Sequence, residues 1–315
     1  MKTYIKLDRI VLTLAALSLS VTSCSEKESA KNQETTQKEK KAESTSKKQL
    51  SEAFKTYWYA GEAEITSYKL QQARYGETRD GEAVLIYVTE PFLPEIQVKA
   101  DASHPDNVPV LKLNATKNYV TGIYPYSIMT STFYPVHDNQ HAIKVAFSSQ
   151  EWCGQVYAQL NNREQFDLMS HSYFEGEADQ DLKLDKTILE NELWNKIRID
   201  PAGLPTGDFD VIPSLEYIRL SHKEVKAYKA SLALTESEGI STYEINYSEL
   251  ERTLKIDFST DFPYAIQGWT ETATSGSGKN AKQMTSTATK MKTLKTPYWQ
   301  QNGNKDLSLR DSLEL

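Results

Sequence analysis

From residue 51 onward, segment after segment of this chain alternates apolar and polar side chains with a period of two. The clearest case is 252–259, in which Leu254, Ile256 and Phe258 are separated by polar or charged residues. This alternation is typical of half-buried β-strands, because successive side chains of a strand point to opposite faces. The pattern predicts strands at 64–75, 82–89, 143–148, 154–160, 165–174, 215–220, 225–234, 240–247, 252–259, 265–274 and 282–296.

Only one segment has apolar residues at the spacing of an α-helix. It covers 185–199, where Asp185 would cap the N-terminus and Leu193 and Ile197 belong to an apolar stripe at helical spacing. Many antiparallel strands with one helix near 185–199 predict a mainly β fold. The expected architecture is one large curved antiparallel sheet, or an open barrel or sandwich.

Two connections are predicted from turn residues. Asp80-Gly81, between the first two predicted strands, is a strong hairpin signal. The Ser/Gly-rich segment 275–280 would form a flexible tip between the last two strands. No linker divides 51–303, so one β-rich domain is expected there, and the polar tail 304–315 is expected to fray.

The N-terminus has the features of a bacterial export signal. Residues 1–23 combine a basic start with an apolar stretch at 10–21 that is too short to span a bilayer. This stretch ends in Val21-Thr22-Ser23-Cys24, which resembles a lipobox. The resemblance implies cleavage before Cys24 and lipid on its sulfur, and more than one acyl chain gives stable anchoring. The expected location is the outer membrane, with the periplasmic and cell-surface faces both open.

Residues 24–50 are expected to form a disordered tether, because lysine, glutamate and small polar residues leave little apolar area to bury. The whole chain carries a net charge of −7, and its first fifty residues carry +4 in total, so residues 51–315 carry −11. A domain this acidic argues against nucleic acid as a partner.

Candidate catalytic residues are sparse. Cys153 is the one cysteine besides Cys24, so it is expected to be a buried, inert thiol unless a histidine activates it. His137 and His141 have the spacing of two zinc ligands on a helical turn, but Pro135 nearby favours a loop. The pair Asp208 and Asp210 is a weaker candidate for glycosidase carboxylates.

An acidic run offers the one pattern that suggests a metal. Glu175, Glu177, Asp179 and Asp181 alternate as the ligands of a calcium loop do, but Gly176 is misplaced for an EF-hand. A solvated acidic loop is the default expectation, and calcium is the alternative. No cofactor is predicted from the sequence.

Aromatic residues are concentrated locally at 57–59, 119–134 and 298–299. Such side chains stack on sugar rings or line apolar grooves. They are also favoured in strands for packing alone, which is the simpler interpretation.

The segments Tyr57–Tyr68, Gln72–Glu77, Gly81–Ile86 and Trp152–Gly154 together resemble an uncharacterised family of Bacteroidota lipoproteins that is often labelled "septum formation inhibitor Maf". The resemblance covers most of 51–300. The label implies a nucleotide pyrophosphatase of α/β fold, whose Ser-Pro-Arg-Arg motif is absent from this sequence, so no catalytic residue is carried over. The predicted architecture also resembles the half-barrel of lipoprotein carriers.

Three functions follow as hypotheses. The first is a non-enzymatic binding or structural module that is anchored to the membrane through Cys24 and holds a lipid, a glycan or an envelope protein. The second is an extracytoplasmic hydrolase that acts on glycan or lipid. The third is the pyrophosphatase that the family label implies.

Overall fold

One hydrogen-bonded sheet organises the part of the chain that the computed structural model describes, namely residues 49–137, 140–275 and 278–315. Within these ranges the sheet has sixteen strands. The predicted export segment 1–23, the lipid site Cys24 and the tether up to residue 48 lie outside the described residues.

The strands of the first half are Ala63–Arg74 (β1), Glu77–Leu93 (β2), Val98–Lys99 (β3), Val108–Thr121 (β4), Tyr124–Pro135 (β5), Lys144–Glu151 (β6), Gly154–Asn162 (β7), Phe166–Ser172 (β8) and Gln180–Leu184 (β9). Those of the second half are Ile188–Leu189 (β10), Gly207–Ile212 (β11), Tyr228–Ser237 (β12), Ile240–Tyr247 (β13), Arg252–Ser259 (β14), Ile266–Ser275 (β15) and Lys282–Thr296 (β16). The α-helices are Glu52–Trp58 (α1), Glu190–Ile199 (α2), Leu215–Leu220 (α3) and Ser308–Asp311 (α4).

The strand order is β10-β11-β12-β13-β14-β15-β16-β1-β2-β4-β5-β6-β7-β8-β9, with β3 paired to β2 outside this path. All described pairs are antiparallel except β10 with β11, so most connections are hairpins between neighbours. β10 lies at one edge of the sheet and β9 at the other. These two edge strands do not pair with each other, so the sheet is open. The predicted mainly β fold with one large antiparallel sheet is therefore confirmed.

The sheet is curved, because it wraps around α2. Side chains of α2 bond to Glu64 on β1, to the carbonyl of Leu111 on β4 and to Arg252 on β14. In a flat sheet β14 and β4 would be about 25 Å apart at about 4.8 Å per strand. A helix is only about 10 Å wide, so these strands must bend towards it.

The predicted helix near 185–199 is present, but it starts later than expected. Residues 188–189 pair as β10, and α2 begins at Glu190 with Leu189 as its N-cap residue, so Asp185 is not the cap. The Glu192 carboxylate accepts a hydrogen bond from the Leu189 N–H and so helps to cap the start of α2. Among the described residues no helix is both long and apolar enough to cross a bilayer.

Two local predictions are wrong. Residues 215–220, predicted as a strand, form the helix α3, which Ser214 caps by accepting a hydrogen bond from the Tyr217 N–H. Six residues are too few for periodicity to distinguish the two structures. The first hairpin turns at Tyr75-Gly76, where both residues have positive φ as a two-residue turn requires, and Asp80-Gly81 lies inside β2.

The C-terminal tail packs on the outer face of β1 and β2. Leu313 is buried there with Ile65 and Val84, and its carbonyl accepts a hydrogen bond from the Ser67 hydroxyl. The expected fraying of 304–315 is therefore not observed, because the outer face of these strands is apolar and the tail covers it. Both faces of β2 are therefore apolar between 83 and 88: Leu85 and Tyr87 face the core, whereas Val84 and Val88 pack with Leu313.

Candidate functional site

An open cavity of about 620 Å³ lies at one end of the curved sheet, between β1, β15, β16, α3 and the β13–β14 turn. We call it the mouth cavity. Its volume is in the range of small-molecule sites, about 300–1,000 Å³. Most of its lining is polar, including Gln72, Arg74, Tyr75, Glu216, Tyr217, Ser221, His222, Lys223, Glu249, Glu251, Glu271, Thr274, Ser275 and Ser286.

The wall on β1 carries two polar side chains on its inward face. Gln72 and Arg74 follow Leu70 at every second position, so they continue its core-facing row to the end of the strand. Gln72 is only 6% exposed, and its Nε2 donates to Ser286 Oγ at 3.1 Å. Its Oε1 is buried without a hydrogen-bond partner among the described residues.

Arg74 is held by its neighbours. One terminal nitrogen donates to the Leu220 carbonyl at 2.7 Å, and the guanidinium lies 4.3 Å from the centre of the Tyr75 ring. The Tyr75 and Tyr126 hydroxyls are 2.9 Å apart, and Tyr126 stacks on Tyr119 at a ring distance of 5.0 Å. The hydroxyl of Tyr119 and Nε of Arg74 are buried without partners among the described residues.

The floor of the mouth cavity is a set of ion pairs. Lys117 bonds to Glu216 at 2.7 Å, and Arg252 bridges Glu271 at 2.6 Å and Glu190 of α2 at 2.8 Å. Burial alone would raise the pKa of Glu271, but the positive charges of Arg252 and Lys117 outweigh it and hold that pKa below its ordinary value. Glu271 is therefore ionised at neutral pH and is not a proton donor.

The opposite end of α2 is fixed by a second buried pair. Arg198 donates from its two terminal nitrogens to the two carboxylate oxygens of Glu64, each at 2.7 Å. The guanidinium lies between the rings of Trp58 and Tyr87, at 4.9 and 4.7 Å. This pair and the two aromatic rings hold α2 inside the sheet.

The interior beside α2 is nearly full. The cavity there has a volume of about 60 Å³ and is lined by side chains that include Leu113, Trp194 and Trp269. This volume is far below the range of typical ligand sites. Among the described residues, the mouth cavity is therefore the better place for a ligand, and it is polar.

The four acidic residues of the predicted calcium loop do not converge. Glu177 bonds to His222 at 2.8 Å and to Arg219 at 3.1 Å, and Asp179 lies 3.2 Å from His171. Asp181 lies on β9, and Glu175 is in the preceding turn. No group of three or more His, Cys, Asp or Glu side chains in the described ranges is placed to hold a metal ion.

Cys153 is exposed at the β6–β7 turn, so the expectation of a buried thiol is wrong. A hydrogen bond with the nearby Glu151 carboxylate is the main cause that raises the pKa of Cys153, which makes the thiolate scarcer. His141 instead contacts Glu192 of α2 at 3.0 Å. The residues between the two histidines, 138 and 139, lie outside the described ranges.

The remaining candidates lie elsewhere. Asp208 and Asp210 are on β11, where Asp210 pairs with Lys229 at 2.9 Å. The aromatic groups divide between two roles: Trp58 is in the core, whereas Trp152 is exposed at a hairpin tip beside Tyr124.

No family model matches this chain, and no curated protein matches it. Among solved structures, a porin-like protein from Bacteroides uniformis ATCC 8492 is similar to it over 72% of this chain and 96% of its own length, at 10% sequence identity and a TM-score of 0.22. A TM-score this low carries no information about function.

Sequence reasoning did not single out Gln72, Arg74 or Glu271 as site residues, and it included Tyr119 only in the aromatic group 119–134. A usable signal was present on β1, where polar Gln72 and Arg74 continue the alternation that Tyr68 and Leu70 begin. Polar residues on an otherwise apolar strand face indicate either a buried ion pair or a ligand-binding site. Which of the two applies depends on partners from distant strands.

Proposed function

We propose that this chain is a lipid-anchored outer-membrane protein that binds a ligand in its mouth cavity without catalysing a reaction. The anchor is supported by the export pattern of 1–23 and by Cys24 after small residues. The binding role is supported by one observation above all, the buried Gln72 whose Oε1 has no partner in the wall of a 620 Å³ cavity. Buried polar groups are rarely left unsatisfied without a reason.

The state of the carboxylates supports binding over hydrolysis. Glycosidase chemistry needs one carboxyl that donates a proton and one that stays ionised. In the mouth cavity Glu216 is engaged by Lys117, and Glu271 is engaged by Arg252 with a lowered pKa. The lowered pKa of Glu271 favours a fixed charge on that carboxylate over proton transfer.

The test is native mass spectrometry of the full chain, extracted in a detergent without a sugar headgroup. We expect a bound small-molecule mass in the natural protein, loss of that mass in Gln72→Leu and its retention in Gln71→Leu. Gln71 is the matched control, because it lies next to Gln72 on β1 but is exposed.

Two outcomes would overturn the proposal. One is a clean apo mass for the natural protein together with no binding of any added probe. The other is turnover of a nucleoside triphosphate or a glycoside that one substitution in the mouth cavity abolishes, which would favour an enzyme.

A further inference from the structure

Four successive hairpins at the mouth end of the sheet each carry a large exposed apolar side chain at the tip. The two-residue turns contribute Tyr75 between β1 and β2, Ile123 between β4 and β5, and Trp152 between β6 and β7. Tyr173 follows directly after β8. These side chains are 54%, 82%, 69% and 68% exposed, in that order. We call these four residues the tip row.

The strand register places neighbouring tips level with one another. Counted outwards from the last paired residues of β2, β4, β5 and β6, Ile123 falls opposite Glu77 and Trp152 falls opposite Pro125. Adjacent hairpins are two strands apart, which is about 10 Å at about 4.8 Å per strand. The tip row is therefore about 30 Å long and one side chain wide.

Contacts between the tips agree with this register. The ring of Tyr124, which follows Ile123, lies 6.5 Å from the ring of Trp152. A Cβ on Gly154 would lie 2.6 Å from the Tyr173 ring, so this ring covers the start of β7 close to Trp152. The tip row is thus one surface and not four unrelated positions.

Other turns of the sheet have a different character. The β13–β14 turn at the same end exposes Ser248, Glu249 and Glu251, and the β7–β8 turn at the opposite end exposes Arg163 and Glu164. Apolar side chains that are exposed singly need no explanation, whereas a contiguous set marks an interaction surface. The tip row is such a set.

The shape and composition of the tip row favour a lipid bilayer over a protein as its partner. The strongest contributors to a protein interface cluster at the centre of a packed patch, and a row one side chain wide has no such centre. Side chains that project from separate turns can each enter a fluid lipid surface without a matching pocket. Tryptophan and tyrosine are enriched at membrane–water interfaces, because their rings are apolar and their edges are polar.

The tether brings a bilayer within reach of the tip row. From Cys24 to Gln49 the chain advances 25 residues, which can span at most about 80 Å. The longest strand, β2, has 17 residues and spans about 56 Å. A domain anchored at Cys24 can therefore bring either end of its sheet to the membrane that holds it.

The charges favour a zwitterionic bilayer over an anionic one. Residues 51–315 carry a net charge of −11. Glu151 precedes Trp152, and Glu175 lies two residues after Tyr173. Arg74, the basic residue next to Tyr75, is engaged by a backbone carbonyl of α3. An anionic bilayer would repel a surface of this kind.

We propose that the tip row is a membrane-contact surface, which places Trp152, Ile123, Tyr75 and Tyr173 in the headgroup region of a zwitterionic phospholipid bilayer. This inference goes beyond ligand binding, and from the proposed function it uses only the anchor at Cys24. Because the mouth cavity lies at the same end of the sheet, it then opens close to the bilayer.

Tryptophan quenching tests the inference in the full lipidated chain, reconstituted into phosphatidylcholine vesicles whose acyl chains are brominated close to the headgroup. The brominated lipid should quench the natural chain. This quenching should be lost in Trp152→Phe and retained in Trp299→Phe. Trp299 is the matched control, because it is 45% exposed and follows β16 at the opposite end of the sheet.

A pair of exposed isoleucines tests the rest of the tip row through the same signal. Ile123→Ser should shift the ratio of docked to undocked protein at least about tenfold towards the undocked state, because an isoleucine side chain leaves the lipid. Ile96→Ser should leave the ratio unchanged, since Ile96 is 63% exposed in the turn between β2 and β3 at the opposite end. Both variants should unfold at the temperature of the natural chain.

The outcomes separate this inference from the proposed function. If the chain is held on the vesicles but brominated lipid does not quench Trp152, the tip-row inference is wrong while the anchor stands. If aqueous acrylamide also fails to quench Trp152, another protein or a second copy covers the tip row, which overturns the inference. Docking that requires anionic lipid would contradict it as well. The ligand mass is a separate readout, because Trp152 and Ile123 do not line the mouth cavity.

Discussion

The buried pair between Arg198 and Glu64 gives the sharpest test of how this fold is held together. Replacing Arg198 with Met leaves the Glu64 carboxylate buried, with the Tyr57 hydroxyl as its remaining side-chain partner. Removing one partner of a buried ion pair typically costs about 3–5 kcal/mol, because the other charge stays desolvated. We expect the loss to be in this range, since the side chains of Arg198 and Glu64 are 1% and 3% exposed.

The double variant Arg198→Met/Glu64→Gln removes both charges and should recover most of the loss, because neutral side chains of similar volume are tolerated in place of a buried pair. The assay is urea unfolding followed by circular dichroism and tryptophan fluorescence. With a slope of about 3 kcal/mol/M, the single variant should lower the midpoint by about 1–1.7 M. Glu52→Gln is the control, because its pair with Lys55 is exposed and should contribute little.

The pH dependence gives a second measure of the same pair. Burial by itself would raise the pKa of Glu64. The charge and hydrogen bonds of Arg198 act in the opposite direction, and the pKa of Glu64 lies below its ordinary value. Stability from a carboxylate with a depressed pKa is complete above its unfolded-state pKa, about 4.3, and is lost as the pH falls through the folded-state pKa. The difference between the natural chain and Glu64→Gln should therefore shrink below about pH 4.

The reasoning would be refuted if Arg198→Met cost less than about 1 kcal/mol, or if the double variant were as unstable as the sum of the single ones. Either result would mean that the Arg198–Glu64 pair does not help to hold α2 in place.

Three other predictions test separate parts of the chain. Gly81→Ala should destabilise the fold by about 1–3 kcal/mol in urea unfolding, because its new Cβ would lie 2.3 Å from the Asn118 carbonyl oxygen, whereas Gly176→Ala, with nothing within 4 Å, should change stability little. Leu313→Ala should cost about 2 kcal/mol in the same assay, because Leu313 is buried against β1 and β2, while Leu307→Ala, 63% exposed, should be close to neutral. Cys24→Ala should move the protein from the membrane to the soluble fraction in cell fractionation, and its retention in the membrane would contradict lipid attachment at Cys24.

Two buried ion pairs fix α2 in the interior of the sheet. Its two ends are tied by arginine–carboxylate pairs, Glu190 with Arg252 at the mouth and Arg198 with Glu64 at the other end. Because a helix of 10 residues is about 15 Å long, these two pairs span most of its length. The Glu190 pair also fixes Arg252 beside Glu271, so the floor of the mouth cavity and the position of α2 depend on each other.

The sequence by itself determined the class of the fold and most of its strands. Period-two alternation is a local property of the chain, so β1, β6, β7, β8 and β12 to β16 were predicted close to their observed bounds. Missed elements were those with weaker local signals. In β4, Lys117 interrupts the inward row of Leu111, Leu113, Ala115 and Tyr119, and it is inward because it meets Glu216 from another part of the chain.

Only the tertiary structure decided where the turns, the tail and the candidate site lie. Asp80-Gly81 is a good turn sequence, yet Gly81 is needed inside β2 because the backbone of β4 approaches it too closely for a Cβ. The mouth cavity joins Gln72 to Ser286, 214 residues away, and Glu271 to Arg252 on the next strand. Unpartnered atoms such as Gln72 Oε1 become visible only when all such neighbours are in place, because satisfaction of a buried polar group depends on every strand that surrounds it.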